Sequence, residues 1–196
     1  MPITVLDLVA YLGLAAVGAY TLNLLLGVLM AFRYSPVRHW PHRRFNYFAL
    51  HKFCGYSALV LAVAHVLLLL LSTSPHFRLV DLFYPIHSPR QPLENSIGAI
   101  AFYLLAMVVA TSFFRIELGR HTWKAFHFAV YGLALALFWH ALLTDPELKG
   151  ARIDFLDGGK VFVALSAALA VVSSLLRWRR SRKKRLAVPP AVDARR

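Results

Sequence analysis

The sequence predicts an all-α integral membrane protein, a helical bundle of about five transmembrane helices, and three observations support that prediction. Of the 196 residues, 59% are hydrophobic, whereas soluble domains are nearer to about 45–50% apolar. The apolar residues are gathered in blocks of membrane-spanning length. The net charge of +13 is concentrated at the ends of those blocks, where basic residues set the topology of membrane proteins.

Five apolar blocks are long enough to cross a hydrocarbon core of about 30 Å as helices that rise about 1.5 Å per residue. The first block lacks the basic start of a signal peptide and is longer than a normal signal-peptide core, so we count it as a span. We expect one bundle over residues 1–180 and a basic, disordered cytoplasmic tail over residues 181–196. The blocks cover approximately residues 5–32, 47–72, 96–114, 122–144 and 159–178.

Loop charge predicts the orientation of the spans. The loops after the first and third spans read RYSPVRHWPHRRFN and RIELGRHTWK, and the last span ends in RWRRSRKKR, whereas the two other loops carry most of the acidic residues. Because basic loops stay inside, we expect an outside N-terminus and a cytoplasmic C-terminus, in a bacterial inner membrane. Anionic lipid headgroups of the bilayer explain the basic tail more economically than RNA does, so no nucleic-acid partner is expected.

Two of the spans carry two histidines each. The second contains HKFCGYSALVLAVAH, with His51 and His65, and the fourth contains HFAVYGLALALFWH, with His127 and His140. One span separates these two, so both run from inside to outside and are parallel. The histidines then pair by depth, His51 with His127 as the inner pair and His65 with His140 as the outer pair. Fourteen residues of helix place the two levels about 21 Å apart.

Facing imidazoles at two depths favour haem iron over other chemistry. Neutral imidazoles from facing helices are suitable axial ligands, and two haems at two depths make a path for electrons through the bilayer. Zinc is disfavoured because neither level offers a further acidic or thiolate ligand, and Cys54 is the single cysteine. A lone intramembrane histidine is often only a hydrogen-bonded contact between helices. A non-redox helical membrane scaffold is therefore the alternative from another class.

The histidine spacing of the fourth span conflicts with a straight helix. At about 100° per residue, fourteen positions return His65 to within ~40° of His51, but thirteen leave His140 ~140° away from His127. A distortion at Gly132 or an inclined helix crossing would resolve the conflict. Gly55 and Gly132 also offer places where a flat macrocycle could approach a helix.

These residues resemble the ferric reductase-like transmembrane domain, which ferric reductases, NADPH oxidases and MsrQ-like haem subunits share. Both histidine spacings are similar to those of the oxidase branch. The segment IGAIAFYLLAMVVATSFFRIELGRHTWKAFH is similar to the family's connection between its third and fourth core helices. It carries the Thr-Ser pair, the basic residue, the Leu-Gly pair and the Trp that precede the histidine. The resemblance covers approximately residues 43–145.

The resemblance implies a bundle that binds b-type haem, two per chain, and carries electrons from a cytoplasmic donor to an acceptor on the outer face. By position, His51, His65, His127 and His140 are the axial ligands, and no catalytic side chain is expected. The sequence has no GxGxxG loop, so we expect an oxidoreductase component served by a separate flavoprotein reductase or a quinol. The expected acceptor is a metal ion, oxygen or a redox protein. A quinol-linked dihaem cytochrome b that anchors a larger redox enzyme is the alternative.

Basic residues near the inner level are candidates for binding the anionic haem propionates. The positive-inside rule predicts basic residues at this level in any case, so both explanations stay open. The four candidates are Lys52, Arg115, Arg120 and Lys124.

Overall fold

A computed structural model of the chain describes residues 3–32, 46–145, 154 and 156–186. Residues 33–45 of the predicted basic loop lie outside this part of the chain. Seven α-helices and two short 3₁₀ turns make up the regular structure of the described residues. In chain order they are α1 (Val5–Ala31), α2 (Tyr47–Leu68), a 3₁₀ turn (Leu69–Leu71), α3 (Leu79–Phe83), a 3₁₀ turn (Pro85–His87), α4 (Pro92–Phe113), α5 (Arg115–His127), α6 (Val130–Leu143) and α7 (Gly158–Leu186).

Four of these helices are long and apolar enough to cross a membrane, and the bent pair α5–α6 makes a fifth candidate span. The four are α1, α2 with its 3₁₀ extension, α4 and α7. The outward surface of the bundle is apolar: Val60 of α2 is 66% exposed, Leu135 of α6 67% and Leu165 of α7 62%. Large apolar side chains exposed on successive helices form a lipid-facing surface. The predicted all-α membrane bundle is therefore confirmed.

Local sequence explains where the helices begin. Thr4 and Asp7 form a reciprocal capping box at the start of α1, in which the Thr4 N–H donates to the Asp7 carboxylate at 2.8 Å. Asn46 caps α2 by accepting the N–H three residues later at 2.9 Å. Pro92 occupies the first turn of α4, where its missing N–H costs nothing. The Asp157 carboxylate accepts an N–H of the first turn of α7.

The predicted fourth span is broken into two helices. α5 ends at His127 and α6 begins at Val130, and the two are bent by 43° across Phe128 and Ala129. Because the break follows His127 directly, α5 and α6 orient their histidines independently. This removes the conflict that thirteen-residue spacing creates in a straight helix. The distortion lies before Gly132, which is inside α6.

The centre of the bundle is α1, which packs along α2 and α7 and also contacts α6, while α4 packs along α6. Tyr20 of α1 is 1% exposed and donates its hydroxyl proton to the Val130 carbonyl at 2.6 Å. This bond fixes the first turn of α6 next to the break. The buried core includes Val17, Tyr20, Leu24, Ala58, Leu105, Leu133, Phe138 and Val163.

The connection between α2 and α4 folds over one end of the bundle, where Phe77 is 2% exposed. Its prolines keep it to a short helix and a 3₁₀ turn. The Asp81 carboxylate is buried and accepts from both the side chain and the backbone N–H of Arg78. These hydrogen bonds hold the pKa of Asp81 below its usual value. Tyr103 of α4 donates its hydroxyl proton to the Phe83 carbonyl at 2.6 Å, which ties the connection to the bundle.

The last helix continues beyond residue 180. α7 ends at Leu186, so residues 181–186 are helical, and the domain boundary at residue 180 stays a prediction. Arg and Lys are good helix formers and are favourable in the last turn of a helix, which explains the extension. Residues 187–196 of the predicted tail lie outside the described residues.

Candidate haem-binding site

The four intramembrane histidines meet in two pairs. The ring centres of His51 and His127 lie 6.4 Å apart with planes at 67°, and those of His65 and His140 lie 6.4 Å apart with planes at 80°. The pairs follow the same order along α2 and along α5–α6, so these spans run parallel, as span parity predicts. We keep the names inner pair and outer pair, which follow the predicted orientation.

The ring separation fits an iron atom held between two imidazoles. A metal–nitrogen bond of about 2 Å on each side, with ~1.1 Å from each nitrogen to its ring centre, places the ring centres ~6.2 Å apart. Both pairs are close to this separation. Among the described residues, no group of three or more His, Cys, Asp or Glu side chains comes together to hold a metal ion. Two facing imidazoles at each level match histidine ligation of haem iron.

Three of the four histidines are held by a backbone carbonyl of a neighbouring helix. A ring nitrogen that donates its proton to a carbonyl fixes the tautomer, so the other nitrogen, Nε2, keeps the lone pair that a metal needs. α1 runs antiparallel to α2, and its two carbonyls serve the two histidines of that helix. The Nδ1 atoms of His51, His65 and His140 lie 3.0, 2.8 and 2.8 Å from the carbonyl oxygens of Asn23, Val9 and Glu94.

A glycine four residues after each of these carbonyls makes room for the ring. A Cβ atom added to Gly98 would lie 2.8 Å from Cε1 of His140, and one added to Gly13 would lie 3.0 Å from Cε1 of His65. At Gly27 the distance to Cε1 of His51 would be 3.3 Å. Glycine therefore lets each imidazole lie against the helix backbone. We call this arrangement, a glycine with the carbonyl one turn before it, a glycine–carbonyl seat.

His127 is held by side chains instead. Its Nδ1 lies 3.4 Å from the Ser112 hydroxyl oxygen of α4, and its ring stacks on Trp123 with centres 5.0 Å apart and planes at 30°. The Trp123 N–H donates to the same hydroxyl oxygen at 3.4 Å. The two ligands of the inner pair thus have different surroundings.

The outer pair lines a cavity of about 670 Å³, a size typical of ligand and cofactor sites at about 300–1,000 Å³. The walls come from α1, α2, α4, α6 and α7 and from the connection between α2 and α4. Apolar side chains such as Val17, Phe102 and Leu133 contribute to the lining, together with the polar Asn95, Lys160 and five aspartates. A mostly apolar cavity with facing imidazoles suits a flat, largely apolar macrocycle.

Lys160 supports the end of the helix that carries His140. It is 6% exposed, and its ammonium group donates to the carbonyl oxygens of Ala141 at 2.9 Å, Leu142 at 2.8 Å and Thr144. The last carbonyls of a helix have no partner within the helix, so this buried cation satisfies the end of α6. The sequence alone does not single out Lys160, because its role depends on α7 packing against α6.

We expect Lys160→Met to destabilise the protein by about 2 kcal/mol, since hydrogen bonds to a charged group each contribute about 1.5–3 kcal/mol. The loss should appear as a thermal midpoint in detergent that is lower by several degrees. Lys183→Met is the matched control, because Lys183 is exposed on the same helix and should leave the midpoint unchanged. Equal midpoints for both variants would contradict this role.

The four basic candidates for propionate binding are exposed in α2 and α5, the helices that carry the inner pair. Lys52 and Arg115 lie over the Phe48 ring, with the cation 5.5 and 4.6 Å from its centre. Lys124 lies 5.8 Å from the centre of the Phe128 ring, and Arg120 follows the non-helical Gly119 in α5. A propionate contact for these residues stays a prediction.

The two glycines singled out in the sequence do not face a histidine. A Cβ atom at Gly55 would lie 3.5 Å from the Asn23 side chain, and one at Gly132 would lie 3.8 Å from Leu104, which are ordinary packing distances. The spacing of glycines in α1 indicates the two seats that face His51 and His65. Gly13 and Gly27 are fourteen residues apart, as are the two histidines of α2.

Fold and site together define a class of protein, a helical membrane protein with two histidine pairs stacked along one bundle. The family model described as ferric reductase like transmembrane component matches residues 12–138. The chain belongs to this ferric reductase-like transmembrane family, as the resemblance predicts. The match begins within α1, well before the predicted core of residues 43–145, and ends two residues before His140. Comparison with curated proteins and with solved structures finds no significant match.

Proposed function

We propose that this protein carries electrons across the membrane through two b-type haems, one bound by the inner pair and one by the outer pair. Its family indicates a transmembrane redox role. The observation that supports the haem proposal best is geometric. Two pairs of imidazoles lie at two levels of parallel spans, and the ring centres of each pair are 6.4 Å apart, close to the ~6.2 Å expected with an iron atom between them.

When bound, a haem at each level supplies a one-electron carrier inside an insulating layer. The residues of this chain do the positioning. The glycine–carbonyl seats and Ser112 orient the imidazoles, and the apolar walls exclude water. If His51 with His127 and His65 with His140 held the two haems, an acceptor would receive electrons without binding the iron. No side chain of the protein then needs to act as an acid, a base or a nucleophile.

The direction of transfer follows from the proposed orientation, with the N-terminus outside and the C-terminus in the cytoplasm of a bacterial cell. The donor would be a separate flavoprotein reductase or a quinol on the cytoplasmic side, and the acceptor a metal ion, oxygen or a redox protein on the outer side. The exposed cations of Lys52, Arg115, Arg120 and Lys124 support a protein donor, because a basic surface attracts an acidic partner.

Transfer across a sealed vesicle tests the proposal. The purified haem-loaded protein is reconstituted in liposomes that enclose ferricyanide, and dithionite is added outside. We expect the trapped ferricyanide to be reduced, and the rate to fall to that of protein-free vesicles with the variant His51→Ala/His65→Ala, which lacks one ligand of each pair. A flavoprotein or a quinol in place of dithionite then distinguishes the donors. Vesicles with haem-loaded protein that reduce no more ferricyanide than empty ones would contradict the proposal.

A further inference from the structure

Ser112 faces His127, whereas each of the other three histidines faces a glycine of a neighbouring helix. The seats at Gly13 and Gly27 are fourteen residues apart on α1, which matches the two histidines of the antiparallel α2. On α4, the residue fourteen positions after Gly98 is Ser112. The antiparallel α5–α6 unit brings His140 against Gly98 and His127 against Ser112. Ser112 therefore has the same position relative to His127 that a glycine has relative to each of the other three histidines.

The Ser112 hydroxyl changes what the imidazole meets. Where a glycine lets the ring reach a backbone carbonyl at 2.8–3.0 Å, the serine side chain occupies that space and offers its own oxygen at 3.4 Å. The indole N–H of Trp123 is a donor only, so the same oxygen accepts from it. A hydroxyl oxygen has two lone pairs, which suffice for Trp123 and for the Nδ1–H of His127.

We infer that Ser112 is a positioning residue for His127, and that it shares its oxygen between His127 and Trp123 so that the inner haem is the easier of the two to reduce. This inference rests on the proposed function. A strong hydrogen bond from Nδ1–H makes a histidine ligand more basic, and a more basic ligand favours the oxidised iron. Both outer ligands have a short bond to a carbonyl, and the Nδ1 of His140 also lies 3.2 Å from the Thr144 hydroxyl oxygen. In the inner pair only His51 has a carbonyl partner, whereas His127 has a long bond to a shared hydroxyl. An inner haem that is easier to reduce takes up electrons from a cytoplasmic donor more readily, and the onward step to the outer haem then runs against the potential difference and depends on the acceptor removing electrons from the outer haem.

Two variants of this cluster should shift the inner midpoint potential in opposite directions. Ser112→Ala removes the acceptor, so the potential of the inner component should rise and its retention of haem should fall by about tenfold, as for other partners of metal ligands. Trp123→Phe keeps an aromatic ring against His127 but removes the competing donor. The hydroxyl is then left to His127, and the potential should fall. If Ser112 had only a structural role, the two variants would not shift the inner potential in opposite directions.

The matched control lies next to Ser112. The Thr111 hydroxyl bonds only carbonyls of its own helix in the described contacts, Met107 at 2.7 Å and Val108 at 3.3 Å, so Thr111→Ala should leave both potentials unchanged. Ser112→Thr keeps a hydroxyl and should keep the potential near that of the wild type.

Redox titrations followed by absorbance of the reduced haem measure these shifts. The variant His65→Ala keeps only the inner pair and so identifies which component is the inner one. An inner potential that is the same in Ser112→Ala, Trp123→Phe and the wild type would overturn the inference. Should Ser112→Ala fail to accumulate, the sign of the Trp123→Phe shift decides alone. Wild-type protein that binds no haem would overturn the proposed function instead, so the two failures are distinguishable.

Discussion

Removing His51, His127 or both residues is expected to cost the protein the same haem. The two rings lie 6.4 Å apart, and an iron between them would lose its site when either ligand is lost. Residues that act as one unit are not additive, so the double variant His51→Ala/His127→Ala should resemble either single variant. The reduced-minus-oxidised spectrum and the haem content of each purified variant measure the outcome.

The cross-level double variant is the control for this pairing. His51→Ala/His140→Ala removes one ligand from each pair and should damage both haem components. If His51→Ala and His140→Ala instead remove the same component, the depth pairing is wrong, and the parallel arrangement of α2 and α5–α6 is wrong with it.

Gly98→Ala is expected to remove the outer haem while the inner haem is retained. The new Cβ atom would lie 2.8 Å from both Cε1 and Nδ1 of His140, closer than non-bonded atoms can approach. The imidazole must therefore move away from α4 and lose its bond to the Glu94 carbonyl. Overpacking of this kind costs about 1–3 kcal/mol, and a displaced ligand should lower the affinity for the outer haem at least ~10-fold. Haem content and the reduced spectrum report the loss.

Gly132→Ala separates this effect from a general response to alanine. Gly132 is also inside a helix, and its added Cβ would find Leu104 at 3.8 Å as the nearest atom. Replacing glycine by alanine in a helix favours the helix by about 0.8–1 kcal/mol, so this variant should keep both haems and its stability. If Gly98→Ala kept the full amount of outer haem, the glycine–carbonyl seat would not be what orients His140.

The spans and the histidine pairing could be predicted because they depend on local composition and on counting. A membrane helix must be apolar over about 20 residues, and two spans separated by one other must be parallel. The break after His127 could not be predicted in the same way. No proline marks Phe128 or Ala129, and the sequence offers Gly132 as the visible weak point. The break is stabilised from outside the segment, by contacts such as the Tyr20 hydroxyl bond to Val130.

Most contacts of the histidines cannot be predicted from the sequence for a related reason. A glycine–carbonyl seat joins residues far apart in the chain, such as Val9 and His65, and it exists only in one register of two packed helices. α1 lay outside the predicted core of residues 43–145, although it supplies two of the three carbonyls. Lys160 and Ser112 likewise acquire their roles through helices that pack against them. The fourteen-residue repeat of glycine in α1 was the one local sign of this arrangement.

A pyridine haemochrome assay combined with protein quantitation counts the haems that each chain holds. Two bis-histidine sites per chain predict two b-type haems per chain, with Soret and α bands that sharpen on reduction by dithionite. Protein produced with ample haem that holds one haem per chain, or none, would contradict the account.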